Sequence, residues 1–176
     1  MDNKKMIFDE NFFCRDCLDV AKDLVGKILV RTKDGKETKL RITETESYRG
    51  EEDTACHAHK GRTKRTETLY MKGGTIYVYL CYGMHYLLNF VTEKEENPQA
   101  VLIRACEIYN GPGKLTKHLE IDKSFNNQSI IANDRLHIED DGQRFEILCD
   151  RRVGINYAAQ EDIDKLWRFK MGKKLT

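Results

Sequence analysis

Hydrophobic and polar residues alternate in several stretches of the chain, with the period of two that is typical of β-strands. Four of these stretches form two pairs, and a short turn sequence separates the members of each pair. The pairs are 27–32 with 38–48, across Asp34-Gly35, and 75–82 with 85–92, across Gly83-Met84; three further strand-like stretches cover 100–108, 144–149 and 166–171. A turn dipeptide between alternating runs is typical of a β-hairpin. The sequence therefore predicts two hairpins, and the second has an aromatic tip.

Helical spacing of apolar residues is found in two places. It predicts one helix that begins at Asp9 or Asn11 and ends at Gly26, and a short helix over 111–121 that is opened by a turn containing glycine and proline. The segment 124–142 has little periodicity and is predicted to be a loop. No repeat or low-complexity linker divides the chain, so a single domain over residues 1–176 is expected.

The composition is that of an ordinary soluble protein, with 40% hydrophobic and 34% charged residues among 176. No run approaches the roughly 18 apolar residues that a membrane span requires. The N-terminal residues lack the apolar segment and cleavage site of a signal peptide. We therefore expect an intracellular, cytoplasmic protein without a membrane partner.

Six cysteines are present, and in a chain without an export signal they are expected to be reduced thiols. The Cys14-x-x-Cys17 spacing would suit a metal or redox site. It lies on the apolar stripe of the predicted first helix, however, and no second C-x-x-C pair accompanies it. Packing is the preferred interpretation of this pair.

The net charge is only +1, but the charges are unevenly distributed. Basic residues cluster between positions 60 and 72 and again from 165 to 174, whereas acidic residues cluster at 93–96 and 139–141. This asymmetry allows a basic face on a nearly neutral protein. A solvated surface would produce the same pattern.

The stretch Arg41 to Gly50 contains the first candidate chemistry. Strict alternation places Glu44, Glu46 and Tyr48 on the same face of a strand, together with Ile42. Two carboxylates beside an aromatic ring would suit acid–base chemistry, and a solvated edge strand would show the same residues. The strand alone does not separate the two interpretations.

Two later features add to this candidate site. Residues 70–90 are rich in tyrosine, which stacks on nucleobases as readily as it fills a core. Tyr82 precedes Gly83 at the predicted hairpin tip, where core residues are seldom found. Arg104 interrupts an apolar strand, and a charge in such a run needs a partner.

The motifs of the chain, taken together, resemble those of the alkyladenine (3-methyladenine) DNA glycosylase family. In chain order they are RITETESYRGEEDTACHA, MKGGTIYVYLCYGMHYLLN, VLIRACE, GPGKL, and RRVGI with WRF. Their order and approximate spacing are those of the family, from about residue 8 to the last strand. The combination is far more specific than any one of the motifs.

The resemblance implies a role for each matching residue. Glu46 corresponds to the general base that activates the hydrolytic water, and Arg104 to the arginine near that water. The extruded base would be held by Tyr48, His57 and Tyr79, and Asn89 would lie at the pocket floor, where it disfavours guanine. Tyr82 would intercalate into the duplex and fill the gap that the base leaves. Arg62, Lys64 and Arg65 of the basic cluster are expected to contact the DNA backbone.

Pattern and resemblance together predict an α+β domain with a curved, mainly antiparallel sheet, flanking helices and a protruding hairpin that enters DNA. The expected activity is that of a monofunctional glycosylase, acting as a monomer on duplex DNA that contains alkylated purines. 3-Methyladenine is the first candidate substrate, with 7-methylguanine, hypoxanthine and ethenoadenine as further ones. No lysine occupies a motif position in the expected pocket, which disfavours a Schiff-base lyase step, and no metal or cofactor is expected.

Two alternatives remain at this stage. The tyrosine cluster could belong to a module that binds damaged or single-stranded nucleic acid without catalysis. Alternatively, Glu46, His57 and His59 could form a metal-dependent hydrolase site. The acidic connection 92–99, a departure from the family pattern, is expected to lie away from the DNA phosphates.

Overall fold

The computed structural model describes residues 8–176, which fold around one eight-stranded sheet with antiparallel strand pairs. The strands are β1 (Ile28–Lys33), β2 (Lys36–Tyr48), β3 (Ile76–Cys81), β4 (His85–Thr92), β5 (Gln99–Cys106), β6 (Leu136–Glu139), β7 (Phe145–Asp150) and β8 (Arg168–Lys174). Their order is β3-β4-β5-β2-β1-β6, and β8 pairs with both β2 and β7. The predicted α+β class with an antiparallel sheet is confirmed.

The 13-residue strand β2 occupies the centre of this sheet. Its first half pairs with β1, and its second half pairs with β5 on one side and with β8 on the other. The second half is therefore enclosed, and Glu46 is 0% exposed. The register with β5 shifts between Ile42 and Thr45, so the strict alternation predicted from Ile42 is interrupted there.

Both predicted hairpins are confirmed. Asp34 and Gly35 join β1 to β2 with φ values of +51° and +73°, the left-handed conformation that such turns require. The second hairpin is held in register up to the pair Cys81 and His85. Its three-residue tip, 82–84, is therefore free of strand pairing, and Tyr82 is 90% exposed there.

The structure contains four α-helices, α1 (Glu10–Phe13), α2 (Cys17–Leu24), α3 (Pro112–His118) and α4 (Gln160–Ile163), within the part of the chain that it describes. The prediction of one N-terminal helix was wrong, because α1 ends at its C-cap Cys14 and a second helix begins after Asp16. Asp16 has a non-helical backbone, and its side chain accepts a hydrogen bond from the N–H of Leu18 at 2.9 Å. Asp16 therefore caps the new helix α2. Asp9 caps α1 as predicted, and Gly26 follows the end of α2.

The prediction of a loop over 124–142 was also wrong, because the segment contains β6. This strand pairs with β1 and buries Leu136 and Ile138, while its two other side chains are half-buried. Four residues are too few for the alternation to stand out among polar neighbours.

The main core lies between the sheet and the helices, and a smaller cluster lies beneath the 3-10 helices at 57–60 and 67–70. The smaller cluster contains Tyr70 and Tyr77, and Tyr48 and Tyr79 pack against it. The cysteines are free thiols, and Cys17 is packed inside the main core. Among residues 8–176, no helix is long and apolar enough to cross a membrane.

Asp16→Ala should lower the free energy of unfolding by about 1–2 kcal/mol, because it removes the cap of α2. It also removes the acceptor for the Arg49 guanidinium, which lies 2.8 Å from Asp16. Asp19→Ala, an exposed position on the same helix, is the matched control and should cost a few tenths of a kcal/mol. Urea denaturation measures the free energy of unfolding of both variants. Equal decreases in Asp16→Ala and Asp19→Ala would contradict the capping role of Asp16.

Candidate active site

Glu46 is a buried carboxylate whose two oxygens are both engaged. The Tyr48 hydroxyl donates to Oε2 at 2.6 Å, and the N–H of Val153 donates to Oε1 at 3.0 Å. The Nε of Arg104 lies 3.3 Å from Oε1. This last contact is an ion pair without hydrogen-bond alignment, since Arg104 Nε has no well-directed acceptor. The strand β2, the strand β5 and the segment after β7 therefore meet at one carboxylate.

Burial raises the pKa of Glu46 above its ordinary value. The hydrogen bonds from Tyr48 and Val153 and the charges of Arg104 and Arg152 act in the opposite direction and only partly offset it. A carboxylate with a raised pKa is a stronger base once ionised. The environment of Glu46 is therefore suited to accepting a proton from water.

Glu44, the second carboxylate of this stretch, has different surroundings. Its Oε2 lies 3.2 Å from Arg168 Nη1 and 3.7 Å from Arg104 Nε, and its side chain is 20% exposed. Arg168 also pairs with Asp150 on β7. Glu44 thus belongs to an ion-pair network that joins β2, β7 and β8.

A cavity of about 410 Å³ opens above Glu46. Each residue that contacts the Glu46 carboxylate also lines this cavity, so the carboxylate lies immediately behind its wall. The lining includes all of the remaining residues that the sequence assigned to catalysis, base binding or intercalation: Tyr48, His57, Tyr79, Tyr82, Asn89 and Arg104. The structure therefore brings the predicted site together.

The aromatic wall of the cavity is built from His57 and two tyrosines of β3. The rings of His57 and Tyr79 lie 4.5 Å apart at 71°, and those of Tyr77 and Tyr79 lie 5.3 Å apart. His57 Nδ1 is 3.0 Å from the Tyr77 hydroxyl, which fixes the imidazole. Burial, assisted by the charge of Arg65, lowers the pKa of His57 to about 4. The imidazole is therefore neutral at physiological pH.

Asn89 is held at the cavity by its own hairpin. Its Nδ2 donates to the carbonyls of Tyr77 and Leu87 at 3.2 and 3.4 Å, and the residue is 4% exposed. Two carbonyl partners identify the nitrogen end of the amide, because carbonyl oxygens only accept. Asn89 Oδ1 is consequently the side-chain atom that remains to accept a hydrogen bond from a ligand.

The basic cluster is divided between two environments. Arg62 forms an ion pair of 2.8 Å with Glu96 and lies over the ring of Tyr70. Lys64 and Arg65 line a second groove, to which Lys123 also contributes. The acidic connection 92–99, which was expected to lie away from the DNA phosphates, therefore reaches the basic cluster through Glu96.

Sequence reasoning gave no individual role to Arg152, which lies behind Tyr48. Its guanidinium is fully buried, pairs with Asp53 at 2.6 Å and lies over the Tyr48 ring, 5.0 Å from the centroid. Val153, whose N–H contacts Glu46, is the next residue. The RRVGI motif was the available signal, since it places a charge pair directly before an apolar segment.

Neither of the histidines proposed as metal ligands has a carboxylate or thiol partner in the contacts of its ring Nδ1. His57 contacts Tyr77, and His59 Nδ1 contacts the carbonyl of Glu51 at 2.8 Å. Within residues 8–176, no group of three His, Cys, Asp or Glu residues is placed to hold a metal ion.

The melting temperature of the wild type should fall relative to that of Glu46→Gln as the pH rises. The stability associated with a group of raised pKa is present below its unfolded pKa and is lost as the pH rises through its folded pKa. Glutamine does not titrate, so Glu46→Gln lacks this loss. Glu44→Gln, which keeps Glu46, is the control and should follow the wild type. Calorimetry at several pH values measures the difference, and a difference between Glu46→Gln and the wild type that stays constant with pH would contradict it.

The sequence matches the family described as methylpurine-DNA glycosylase (MPG) over residues 11–174. A protein of Borreliella afzelii, named as a candidate 3-methyladenine DNA glycosylase, is 48% identical over 92% of this chain and 94% of its own length. Candidates of the same name from Natranaerobius thermophilus and Methanocella arvoryzae are 44% and 40% identical, over 93% of this chain and 94% and 91% of their lengths. The resemblance seen in the motifs is thereby confirmed. The chain belongs to the methylpurine-DNA glycosylase family.

Proposed function

We propose that this protein is a monofunctional DNA glycosylase that removes 3-methyladenine and related alkylated purines from duplex DNA, which starts base-excision repair. The observation that carries the proposal is a buried carboxylate of raised pKa behind an aromatic cavity. The relatives named as candidate 3-methyladenine DNA glycosylases support the same substrate. The protein acts inside the cell, as a monomer.

The cavity is suited to a purine that has been flipped out of the helix. An enzyme that works on a stacked base must first extrude it, at a cost of a few kcal/mol. Purines methylated at N3 or N7 are cationic, and aromatic faces attract a cation by about 0.5–2 kcal/mol. Neutral His57 avoids the repulsion that an imidazolium would impose on such a base.

The chemical step is hydrolysis of the N-glycosidic bond. Glu46 accepts a proton from a water molecule, whose oxygen bonds to the anomeric carbon of the sugar. The bond between this carbon and the purine breaks, and its electron pair leaves with the base, which neutralises the cation. The negative charge of Glu46 also opposes the positive charge that develops on the sugar. Arg104, 3.3 Å from the same carboxylate, orients the water.

The cavity lining, drawn from residues 8–176, contains Arg65 and Arg104 but no lysine. A lyase step through a Schiff base needs an amine at the anomeric carbon. The composition of the wall therefore supports base release without strand cleavage.

The hairpin tip supplies a group to fill the space that the flipped base leaves. Tyr82 projects there, 90% exposed, with its backbone fixed at a φ of +51°. A rigid ring in this position can stack between base pairs. Lys64 and Arg65, which share a groove with Lys123, would contact the DNA backbone, whereas Arg62 is already paired with Glu96.

Glu46→Gln should abolish base release from methylated duplex DNA, since an amide cannot accept the proton, while binding to duplex with an abasic-site analogue persists. Glu44→Gln is the matched control on the same strand and should retain activity. The wild-type rate should fall on acidification with an apparent pKa above the ordinary glutamate value of about 4.3. Chromatography of the released bases measures each rate. Undiminished release by Glu46→Gln would disprove the assigned chemistry.

Tyr82→Ala should weaken binding to a duplex that contains a lesion more than binding to the same lesion in a single strand, because only the duplex has a gap to fill. Tyr82→Phe retains the ring and is the control. Titration of fluorescent oligonucleotides measures both affinities. Equal losses on the two substrates would rule out the intercalating role.

A further inference from the structure

A buried ion pair lies behind the base cavity and has no part in the chemical step described above. Arg152 Nη1 and Nη2 donate to the two carboxylate oxygens of Asp53 at 2.6 and 2.9 Å, and both side chains are 0% exposed. Asp53 also accepts from the backbone N–H groups of Arg49 and Ala55. Such charges are tolerated inside a protein only where bonds hold them in place. These bonds therefore hold the side chains of Arg152 and Asp53 in one position.

The ring of Tyr48 connects Arg152 to one oxygen of Glu46. The guanidinium carbon of Arg152 lies 5.0 Å from the ring centroids of both Tyr48 and Trp167. The planar cation thus contacts the ring whose hydroxyl donates to Glu46 Oε2 at 2.6 Å. Displacement of the guanidinium would remove one of the contacts that hold this ring in place.

The backbone connects Arg152 to the other oxygen. Val153 follows Arg152, and its N–H donates to Glu46 Oε1 at 3.0 Å. The Arg152 side chain anchors this segment, because it also donates to the carbonyls of Ser47 and Asp162 at 2.9 and 3.3 Å. Both oxygens of Glu46 are consequently held by groups that depend on Arg152.

We propose that Arg152, held by Asp53, is a positioning residue that sets the orientation of the Glu46 carboxylate through Tyr48 and Val153. The inference rests on the proposed function, which makes Glu46 the base. Its physical reason is that a catalytic group displaced by about 1 Å can lose roughly a hundredfold in rate. Arginine is required here because its planar fork binds a carboxylate with two bonds while it stacks on a ring.

The test uses Arg152→Lys, which keeps a cation beside Asp53 but loses the fork and the stacking face. Arg31→Lys is the matched control. Arg31 is 7% exposed, donates to the carbonyl of Leu119 at 2.9 Å and lies over the ring of Phe125, so it is similarly buried but belongs to β1. Carbon-13 NMR of labelled glutamate follows the titration of Glu46 in the free protein. Single-turnover base release and binding to an abasic-analogue duplex are measured on the same samples.

In Arg152→Lys the pKa of Glu46 should rise, because the hydrogen bonds from Tyr48 and Val153 that lower it are weakened. The single-turnover rate should fall by about tenfold to a hundredfold, and its acid limb should move to higher pH. Affinity for the abasic-analogue duplex should remain that of the wild type. Arg31→Lys should lose thermal stability without any of these changes.

Identical titration of Glu46 and identical rates in Arg152→Lys and Arg31→Lys would overturn the inference. If Arg152→Lys does not fold, Asp53→Asn decides through the same titration, since it weakens the bonds that hold the Arg152 guanidinium and leaves Tyr48 and Val153 unchanged. A raised pKa of Glu46 in Asp53→Asn supports the inference, and an unchanged one overturns it. A wild-type protein that releases no methylated purine, although the pKa of Glu46 still responds to Arg152→Lys, would reject the proposed function and retain the positioning role.

Discussion

A carboxylate enclosed in the interior is the constraint on which this fold depends. An ionised group without partners would cost several kcal/mol in such a place, so every element around Glu46 has to deliver a donor or a positive charge. Tyr48 on β2, Arg104 on β5 and Val153 after β7 do so. These residues lie far apart along the chain, and their convergence links the pairing of the strands to the assembly of the site.

The length of β2 makes this convergence possible. Its first half is held by β1 in an ordinary hairpin, whereas its second half lies between β5 and β8. On the face away from Glu46, Thr45 and Ser47 donate to the carbonyls of Ala21 and Cys17 in α2. The strand that carries the candidate base is thus fixed by two strands and a helix, and a site built on so rigid an element keeps its geometry.

Local signals predicted those parts of the structure that local forces determine. The turn at Asp34-Gly35 needs left-handed backbone, and Asp-Gly supplies it, so the first hairpin was evident from the sequence. Asp16 was missed because the apolar spacing continues across it, so its capping role shows only in the backbone. The four residues of β6 were too few to be recognised as a strand.

The candidate site required information of a different kind. The base-binding roles of His57 and Asn89 were predicted only from the family resemblance. Neither residue lies in a sequence pattern that by itself indicates a binding or catalytic role. Arg152 and Asp53 are 99 positions apart, and no local periodicity reports such a contact. Such a long-range ion pair depends on how distant segments pack together. The sequence of one segment does not determine that packing.

The pair of Arg62 and Glu96 also affects how strongly salt would act on DNA binding. Affinity for DNA falls with salt because cations condensed on the phosphates are released, at about 0.9 per phosphate neutralised. An arginine that is already paired with a carboxylate of the same protein adds little binding free energy when it exchanges that carboxylate for a phosphate. With side chains 52% and 66% exposed, the pair is weak enough to exchange in this way. In the proposed DNA complex, Glu96 would compete with the phosphates for Arg62, which would favour departure from undamaged DNA over prolonged residence on it.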